Sequence, residues 1–393
     1  MKSLLRISFN KFIISFTPIL VWFLLGIIID CGCANIFALT YPLQFIYMVL
    51  FSIFGTAPNI NETRDKAKGA AFSGMLVGFF VGGLITLCIV LNLDVYVNYM
   101  NMDYETCKEF AMFSVVSQFI SFALTVIMEK LYFDKKEKRA NTYMIIYNAI
   151  YVFSLVGMAL LTKDKMQIAT VAIVALSIFV MYVIMRTLRS YHAKFNFNLW
   201  KWIRYESYVA MSNVLYFIVY LVGFSNVFSF GPEYATVMNF VALITDTQWD
   251  SFDAINTVAK IDISKNKFNY KKSLKNAYKL LAILLSTIVV MFLFTIRFYN
   301  INIWLFLAFL SFDLYVFLIY PTYALKACYL QICWSPLVTT GNKLVQMIIR
   351  MASSFLPTPF CTSIGGFLGE TYLWIVFTIL YKKHGPKRIK KTS

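Results

Sequence analysis

The sequence predicts an all-α polytopic membrane protein with twelve transmembrane helices in two six-helix lobes, related by a pseudo-two-fold axis along the membrane normal. Three observations support this fold class: the composition, the spacing of long apolar runs and the distribution of basic residues between loops. Of the 393 residues, 60% are hydrophobic and only 14% are charged. A soluble globular chain is much less apolar than this.

Apolar runs long enough to cross a bilayer, which takes about 20 helical residues, recur along the whole chain. Continuous runs favour helices over barrel strands, which alternate apolar and polar residues over about ten positions. The runs predict spans at residues 11–30, 38–57, 69–92, 110–129, 142–161, 167–186, 206–228, 235–258, 276–296, 302–325, 338–357 and 362–381.

The basic residues support this assignment, because cytoplasmic loops carry the Lys and Arg excess of membrane proteins. Twelve crossings put both termini and five loops on one side, and these segments hold nearly all of the 36 Lys and Arg residues. We therefore predict a protein of the cell membrane with both termini in the cytoplasm. The net charge of +17 then indicates contact with anionic membrane lipid, not with nucleic acid.

Cysteine and histidine give no sign of an enzyme or a metal centre. The seven cysteines form no CxxC pair, and neither His192 nor His384 lies in a predicted span. No glycine-rich phosphate loop is present, and no Ser/His/Asp or Cys/His set can assemble within the spans. We expect no enzymatic activity and no cofactor, and we expect a monomer.

The second half of the chain repeats the helix pattern of the first. A shift of half the chain length lays one set of spans over the other, which predicts an N-terminal lobe at residues 1–195, including the start of the interlobe loop, and a C-terminal lobe with a basic tail at residues 196–393. Parallel repeats of this kind are typical of transporters that bind a ligand between two halves.

Several segments in the same order carry a resemblance to a known family. They are Asp30 at the end of the first span, followed by "FGTAPNINETRDKAKGAAFSG", "YETCKEFAMFSVVSQFISFAL", "KRANTYMIIYNAIY", "FGPEYATVMNF" and "FLSFDLYVFLIYPTYALKA". In this order and spacing, over nearly the whole chain, the sequence resembles the multidrug and toxic compound extrusion (MATE) family, within the superfamily that also contains polysaccharide and lipid-linked-precursor flippases.

The resemblance implies two lobes around a central cavity and export in exchange for Na⁺ or H⁺. It also implies roles in ion coupling for Asp30 and Asp313. The chain departs from the family pattern in the seventh helix, where a neutral stretch begins at Ser212. It departs again in the fifth helix, where residues 154–157 replace the Asn and Asp of many members. The coupling network of the family is therefore not carried over intact.

The segment "TDTQWDSFDAIN" places three carboxylates inside a predicted span. Asp246, Asp250 and Asp253 fall on one helix face, because offsets of four and seven residues return to nearly the same side. A carboxylate at bilayer depth costs roughly 2.5 to 3.5 kcal/mol, so the face cannot meet lipid. Asn239 and Thr257 share this stripe, with Trp249 at its edge.

Two interpretations of these carboxylates stay open. In the first, Asp246 and Asp250 face the central cavity as a proton or cation store, with a Na⁺ site there or at Asp30, and Asp253 lies on the cytoplasmic path. In the second, they cap helices, bond to Ser, Thr or Asn, or line a wet vestibule. Asp30 likewise has a second interpretation, as a residue that simply lies at the end of a helix.

Arg350 and six aromatic residues complete the candidates. Arg350 is either the cationic partner of one of these aspartates or a side chain that extends to the membrane interface. Aromatic rings bind flat cations, although packing explains most of them in so aromatic a chain. The substrate-cavity set is Asp246, Asp250, Asp253, Trp249, Asn239 and Tyr320, and the further aromatic candidates are Trp22, Tyr216, Tyr220 and Tyr315.

The hypothesis drawn from these residues is a cation-coupled antiporter that exports amphipathic, cationic small molecules by rocker-switch alternating access. Four aspartates of the second half against one of the first, counted within the spans, favour a cationic cargo. The alternatives are a flippase for a lipid-linked or other amphiphilic precursor, whose cavity should instead be rich in Lys and Arg, and a non-transporting membrane partner subunit.

Overall fold

A computed structural model describes residues 2–30, 32–134, 136–189, 195–252, 254–264 and 267–386. Within these ranges the chain is helical and contains no strand. It divides into two compact units, which we call the first unit (Thr17–Ser229) and the second unit (Met1–Phe16 with Phe230–Ser393).

The first unit is built from long helices, two of which contain π-helical turns. The π-helical segment Phe51–Thr56 joins α2 to α3, and Phe153–Gly157 joins α7 to α8. The helices are α1 (Lys2–Ile28, which begins in the second unit), α2 (Gly32–Leu50), α3 (Ala57–Arg64), α4 (Ala70–Leu91), α5 (Leu93–Tyr99), α6 (Tyr104–Phe133), α7 (Glu137–Val152), α8 (Met158–Leu161), α9 (Lys165–Leu188) and α10 (Leu199–Ser229).

The second unit contains six further helices. They are α11 (Pro232–Phe252), α12 (Ala254–Ser264), α13 (Tyr270–Phe298), α14 (Ile303–Cys333), α15 (Pro336–Ser353) and α16 (Cys361–His384). Polar side chains mark where several helices begin, since the side chains of Asn269, Asn302 and Ser335 accept hydrogen bonds from backbone N–H groups of the first turns of α13, α14 and α15. These bonds satisfy donors that a helix start otherwise leaves unpaired.

Each of the twelve predicted spans overlaps one or two of these helices. Eight stretches of the described residues are long and apolar enough to cross a membrane: Asn35–Asn59, Ala70–Leu91, Tyr104–Leu131, Lys138–Leu161, Lys165–Leu188, Tyr270–Phe298, Ile303–Leu330 and Cys361–His384. The chain is therefore a multi-pass membrane protein. The number of twelve crossings stays a prediction.

Helix α6 forms the centre of the first unit, where it packs against α2, α4 and α9. Its Phe110, Phe113 and Leu124 are at most 1% exposed. Glycines on α4 permit the close approach of neighbouring helices, because a Cβ at Gly82 would lie 3.0 Å from the Phe119 ring and 3.1 Å from the Phe122 ring. Small residues at helix contacts serve the same purpose in other membrane proteins.

Helix α14 has the corresponding place in the second unit, in contact with α11, α12, α13, α15 and α16. Phe306, Phe309 and Phe317 on α14 are buried. Helix α10, which the sequence assigns to the C-terminal lobe, belongs to the first unit and packs against α2. The predicted lobe boundary between residues 195 and 196 stays a prediction.

Candidate functional site

A cavity of about 460 Å³ lies inside the first unit. Four helices and the first π-helical segment form its wall. We call it the first-unit cavity, and its lining residues are Pro18, Trp22, Phe37, Thr40, Tyr41, Gln44, Tyr47, Met48, Phe51, Ser114, Ser117, Gln118, Ser121, Phe122, Thr125, Tyr147 and Tyr151. Its volume lies in the range typical of sites for small molecules.

The helical repeat explains why these residues share a cavity. The six lining residues on α6 run from Ser114 to Thr125 at intervals of one and three, which places them on one face of the helix. On α2 and the following π-helical segment, the lining residues from Thr40 to Phe51 also recur at short helical intervals. π-helical turns occur often at functional sites, and here one begins at the cavity wall.

Hydrogen bonds fix several polar groups of the wall. The hydroxyls of Thr40 and Ser114 lie 2.6 Å apart, and the Gln118 Nε2 atom donates to the Thr40 carbonyl at 2.9 Å. These contacts join α2 to α6. The Tyr47 hydroxyl, 2.8 Å from the Thr86 hydroxyl, ties α2 to α4. The cavity wall is therefore cross-linked by hydrogen bonds between α2, α4 and α6.

Aromatic rings provide most of the remaining surface. Trp22 packs edge-on against Phe110 and Phe113, with ring centroids 5.7 and 6.1 Å apart. The Trp22 indole also hydrogen-bonds to the Tyr151 hydroxyl. Rings held by packing on one side offer flat apolar surface on the other. Trp22, which is one of the six aromatic residues singled out from the sequence, lines this cavity.

All of the lining residues of the first-unit cavity are uncharged. The carboxylate of Glu129 lies one helical turn beyond Thr125 on α6, where it accepts a hydrogen bond from the Thr56 hydroxyl at 3.5 Å. Glu129 also interacts electrostatically with Glu206. Glu129 falls at the end of a predicted span, but it is absent from the candidates that the sequence identifies.

Asp30 follows α1 in the first unit, and its carboxylate is paired with a lysine. The Asp30 Oδ2 atom lies 2.8 Å from the Lys165 Nζ atom, and the aspartate side chain is 45% exposed. Partial burial raises the pKa of the Asp30 carboxyl, but the hydrogen bond and positive charge of Lys165 outweigh it and hold that pKa below its usual value. Asp30 is therefore ionised at neutral pH.

Asp313 lies on α14 within the second unit, opposite α11. Its Oδ2 atom accepts a hydrogen bond from the Thr245 hydroxyl at 3.1 Å. Arg350 also interacts electrostatically with this carboxylate. A carboxylate within a membrane span needs such partners, because lipid provides none.

The aspartate triple of the predicted span 235–258 falls on side chains that the structure does not describe. The side chains of Asp246 and Asp250 lie outside the described part of the structure, as does the whole of Asp253. Thr257, which shares their predicted stripe, has no described side chain either. The roles given to these residues stay predictions.

The neighbours of the triple that are described form an aromatic and polar contact with α14. The Trp249 ring stacks on Phe317 with centroids 4.1 Å apart, and it meets Tyr320 edge-on at 5.2 Å. The Tyr320 hydroxyl accepts a hydrogen bond from the Asn256 Nδ2 atom at 2.7 Å. Asn239 is completely buried. Trp249 and Tyr320 thus join α11 and α12 to α14.

The sequence does not single out Glu370, which forms a buried polar centre in the second unit. Its carboxylate accepts hydrogen bonds from the Tyr323 hydroxyl and the Gln346 amide, and it lies 3.9 Å from the Arg350 Nη1 atom. Arg350 therefore pairs with a carboxylate of α16 as well as interacting with Asp313. The position of Glu370 within the predicted span 362–381 is the signal that identifies it.

The remaining aromatic candidates pack against neighbouring helices. Tyr216 and Tyr220 on α10 stack on Phe45 of α2, with centroids 5.4 Å away in each case. The Tyr315 hydroxyl lies 3.1 Å from that of Thr371. Among the described residues, no group of three His, Cys, Asp or Glu side chains is close enough to hold a metal ion.

Comparison with known proteins identifies the fold. No family model matches the sequence, and no curated protein matches it. Among solved structures, an inward-facing MATE family transporter of the MOP superfamily has a TM-score of 0.66 at 13% identity, covering 97% of this chain and 98% of that chain. The MATE multidrug transporter DinF-BH, solved with R6G, has a TM-score of 0.70 at 11% identity, covering 97% and 95%.

A third neighbour is a MOP superfamily transporter from Pyrococcus furiosus Vc1, described as having a binding pocket of reverse polarity. Its TM-score is 0.64 at 14% identity, with 98% of this chain and 96% of that chain covered. The chain is thus an α-helical multi-pass membrane protein with the fold of MATE family transporters, as the resemblance in sequence implies. At these identities the likeness establishes the fold.

Proposed function

We propose that the protein is a secondary transporter that exports amphipathic small molecules and that the first-unit cavity binds them. The observation that carries the proposal is this cavity of about 460 Å³, lined by aromatic rings and uncharged polar groups, within a chain of MATE fold. Stacking and burial of apolar surface would supply the affinity, and the hydroxyls and amides would orient the ligand.

The proposed cargo includes flat, delocalised cations. Aromatic faces attract cations by about 0.5 to 2 kcal/mol, and a delocalised charge is less costly to remove from water than a compact ammonium ion. Such a molecule therefore suits a wall that has aromatic faces and no carboxylate. Cationic cargo also remains the expectation from the acidic residues of the second half.

We further propose that export is coupled to Na⁺ or H⁺ through Asp30 and Asp313, with Asp246 and Asp250 as additional ion sites. The role of Asp313 is supported by its position within a membrane span. The uncharged group described as bonding to its carboxylate there is the Thr245 hydroxyl. Coupling at Asp30 requires that the ion compete with Lys165 for the carboxylate.

Transport into proteoliposomes tests the proposal. We expect R6G to accumulate when a Na⁺ or proton gradient is imposed and not when the gradient is collapsed. Met48→Trp should lower the initial rate at least about tenfold, because Met48 lines the cavity and is 43% exposed, so a larger ring fills space without breaking packing. Met166→Trp, at a position that is 52% exposed on α9, is the matched control.

Equal rates for both variants would remove the cavity from the transport path. Movement of a lipid-linked analogue across the bilayer, without movement of R6G, would favour the flippase alternative.

Asp313→Asn is expected to allow R6G binding but to abolish the dependence of uptake on the gradient. Asp103→Asn, at an exposed residue before α6, should have no effect and is the control.

A further inference from the structure

Three arginines line one open pocket at an end of the first unit. Arg139 lies in the first turn of α7, Arg186 in the last turn of α9 and Arg189 directly after it. Tyr182 and Met185 complete the pocket, whose volume is about 630 Å³. Because α7 and α9 pack against each other, the start of one helix and the end of the other bring three guanidinium groups together.

Two tyrosines orient two of these three guanidinium groups. The Arg186 Nη1 atom donates to the Tyr182 hydroxyl at 2.7 Å, and the Arg139 Nε atom donates to the Tyr143 hydroxyl at 2.9 Å. Each arginine also lies over the ring of its tyrosine. A guanidinium has five N–H donors, so one bond to a hydroxyl leaves several donors for a ligand.

The described residues that line the pocket include no acidic one to balance this charge. They are basic, aromatic or apolar. None of the three arginines forms an ion pair with a carboxylate that the structure describes, and the side chain of Glu137 at the start of α7 lies outside the described part. Three like charges in one pocket repel each other, and a bound anion would relieve that repulsion.

The pocket lies at the depth of lipid headgroups. Arg139 follows the first residue of the span Lys138–Leu161, and Arg186 precedes the last residues of the span Lys165–Leu188. The α9 face that leads to the pocket is apolar and exposed, with Val174 at 50%, Ile178 at 66%, Met181 at 56% and Met185 at 50%. The intervals of three and four residues place these side chains in one stripe along the helix.

We propose that this pocket binds the phosphate of an anionic phospholipid, whose acyl chains lie along the exposed stripe of α9. Arginine binds phosphate with two parallel N–H bonds, and basic pockets between helix ends are typical sites for anionic headgroups. Free phosphate would use the arginines but not the apolar stripe, so the stripe favours lipid. The proposal is independent of what the protein transports.

Native mass spectrometry of the full-length protein in detergent tests this site. Phosphatidylglycerol, zwitterionic phosphatidylcholine and inorganic phosphate are each titrated against the protein. We expect phosphatidylglycerol to bind most tightly, and we expect its affinity to fall about fivefold for each arginine removed in R139Q, R186Q and R189Q. R189Q alone changes an exposed residue after the helix and therefore tests the site even if the triple variant does not fold.

The matched control removes three lysines, K271Q, K272Q and K275Q, which are exposed near the start of α13 and carry the same total charge. Retained phosphatidylglycerol binding in this control supports a specific site. Equal losses in the arginine and lysine variants would overturn the proposal in favour of general surface charge. Binding of inorganic phosphate as tight as that of phosphatidylglycerol would also overturn it, because the acyl chains would then contribute nothing.

Discussion

Glu370 on α16 illustrates how a single buried carboxylate holds three membrane helices together. Glu370 is 8% exposed, and Tyr323 and Gln346, which donate to it, are 1% and 0% exposed. Its partners on α14 and α15 would each lose a bond without it. Removal of this carboxylate would leave two buried donors without their acceptor, which costs more than a hydrogen bond that was never formed.

We predict that Glu370→Ala lowers the free energy of unfolding by about 3 kcal/mol, because the buried Tyr323 hydroxyl and Gln346 amide each lose their acceptor and Arg350 loses one of its carboxylate partners. Thermal unfolding of the purified protein, followed by circular dichroism, measures the change. Glu105→Ala is the control, since its carboxylate pairs with Lys108 on the surface at 71% exposure and such pairs contribute about 0 to 1 kcal/mol. Similar losses in both variants would contradict the prediction.

Asp30 and Lys165 form a different kind of pair, because both are partly exposed. The folded protein holds the pKa of Asp30 below its usual value, so the stabilisation is fully present above the pKa of the unfolded chain. It is lost as the pH falls through the lower pKa of the folded state. Proton uptake at Asp30 in the neutral range therefore requires that the contact with Lys165 first be broken.

We predict that Asp30→Asn lowers stability slightly at neutral pH, by less than about 1 kcal/mol as for other exposed pairs. The difference from the unsubstituted protein should disappear in strong acid. Unfolding midpoints measured over a pH series for the two proteins test this, with Lys165→Met expected to remove the same acid dependence. An Asp30→Asn effect that grows as the pH falls would contradict the direction of the pKa shift.

Apart from Trp22, the described residues that line the first-unit cavity could not be predicted from the sequence. In the sequence, Thr40, Ser114 and Gln118 look like any other hydroxyl or amide residue of a helix, many of which bond only to the backbone of their own helix. Their common position becomes visible only when α2 and α6 are packed together. The opposite holds for Asp313, because a carboxylate within an apolar run is rare enough to identify a polar contact from sequence alone.

At the level of helices, α4 depends on glycine where it crosses the segment between α2 and α3. A Cβ at Gly74 would overlap the Pro58 side chain and lie 2.6 Å from the Phe54 carbonyl oxygen. By contrast, the nearest atom to a Cβ at Gly83 is in the Phe119 ring at 3.7 Å, an ordinary contact. Two glycines of one helix thus have different structural roles.

We predict that Gly74→Ala destabilises the protein by about 2 kcal/mol or more, because backbone must move to admit the methyl group. Gly83→Ala should be neutral or stabilising by up to about 1 kcal/mol, since alanine loses less backbone entropy in a helix. The two variants are compared by thermal unfolding under the same detergent conditions. Equal stability of both would show that α4 can shift away from Pro58.

The π-helical turns are also features that the sequence does not predict. Residues 51–56 and 153–157 read as parts of continuous apolar spans. An extra residue per turn frees backbone carbonyls, and one of them, that of Gly55, accepts a hydrogen bond from the Asn59 side chain at 2.8 Å. Local composition does not distinguish such turns, because residues 51–56 and 153–157 are as apolar as the α-helical turns beside them.

For the whole molecule, composition and long apolar runs correctly predict a helical multi-pass membrane protein, whereas the orientation predicted from loop charge stays a prediction. Hydropathy is least informative for α15. This helix carries Asn342, Gln346 and Arg350, which lower its average hydropathy. All three contact α16, where Tyr372 donates to Asn342 at 2.7 Å and Glu370 binds the other two. The other side of α15 exposes Leu337 and Ile348, at 81% and 55%. An average over all residues misses a polar side that a neighbouring helix covers.

Twelve crossings require, among other things, that α15 cross the membrane. Its 18 residues span about 27 Å at 1.5 Å per residue, close to the thickness of the hydrocarbon core. We predict that it does cross, because its polar groups are satisfied by α16 and its exposed side is apolar. Introduced cysteines in a cysteine-free background test this in intact cells.

Thr358→Cys after α15 should react with a membrane-impermeant maleimide, whereas Ser335→Cys before it should react only after the cells are opened. Lys163→Cys and Lys66→Cys, exposed residues in loops predicted to lie outside and inside, are the controls. If Ser335→Cys and Thr358→Cys were accessible from the same side, α15 would lie along the membrane, and the C-terminus would be on the side opposite to the N-terminus.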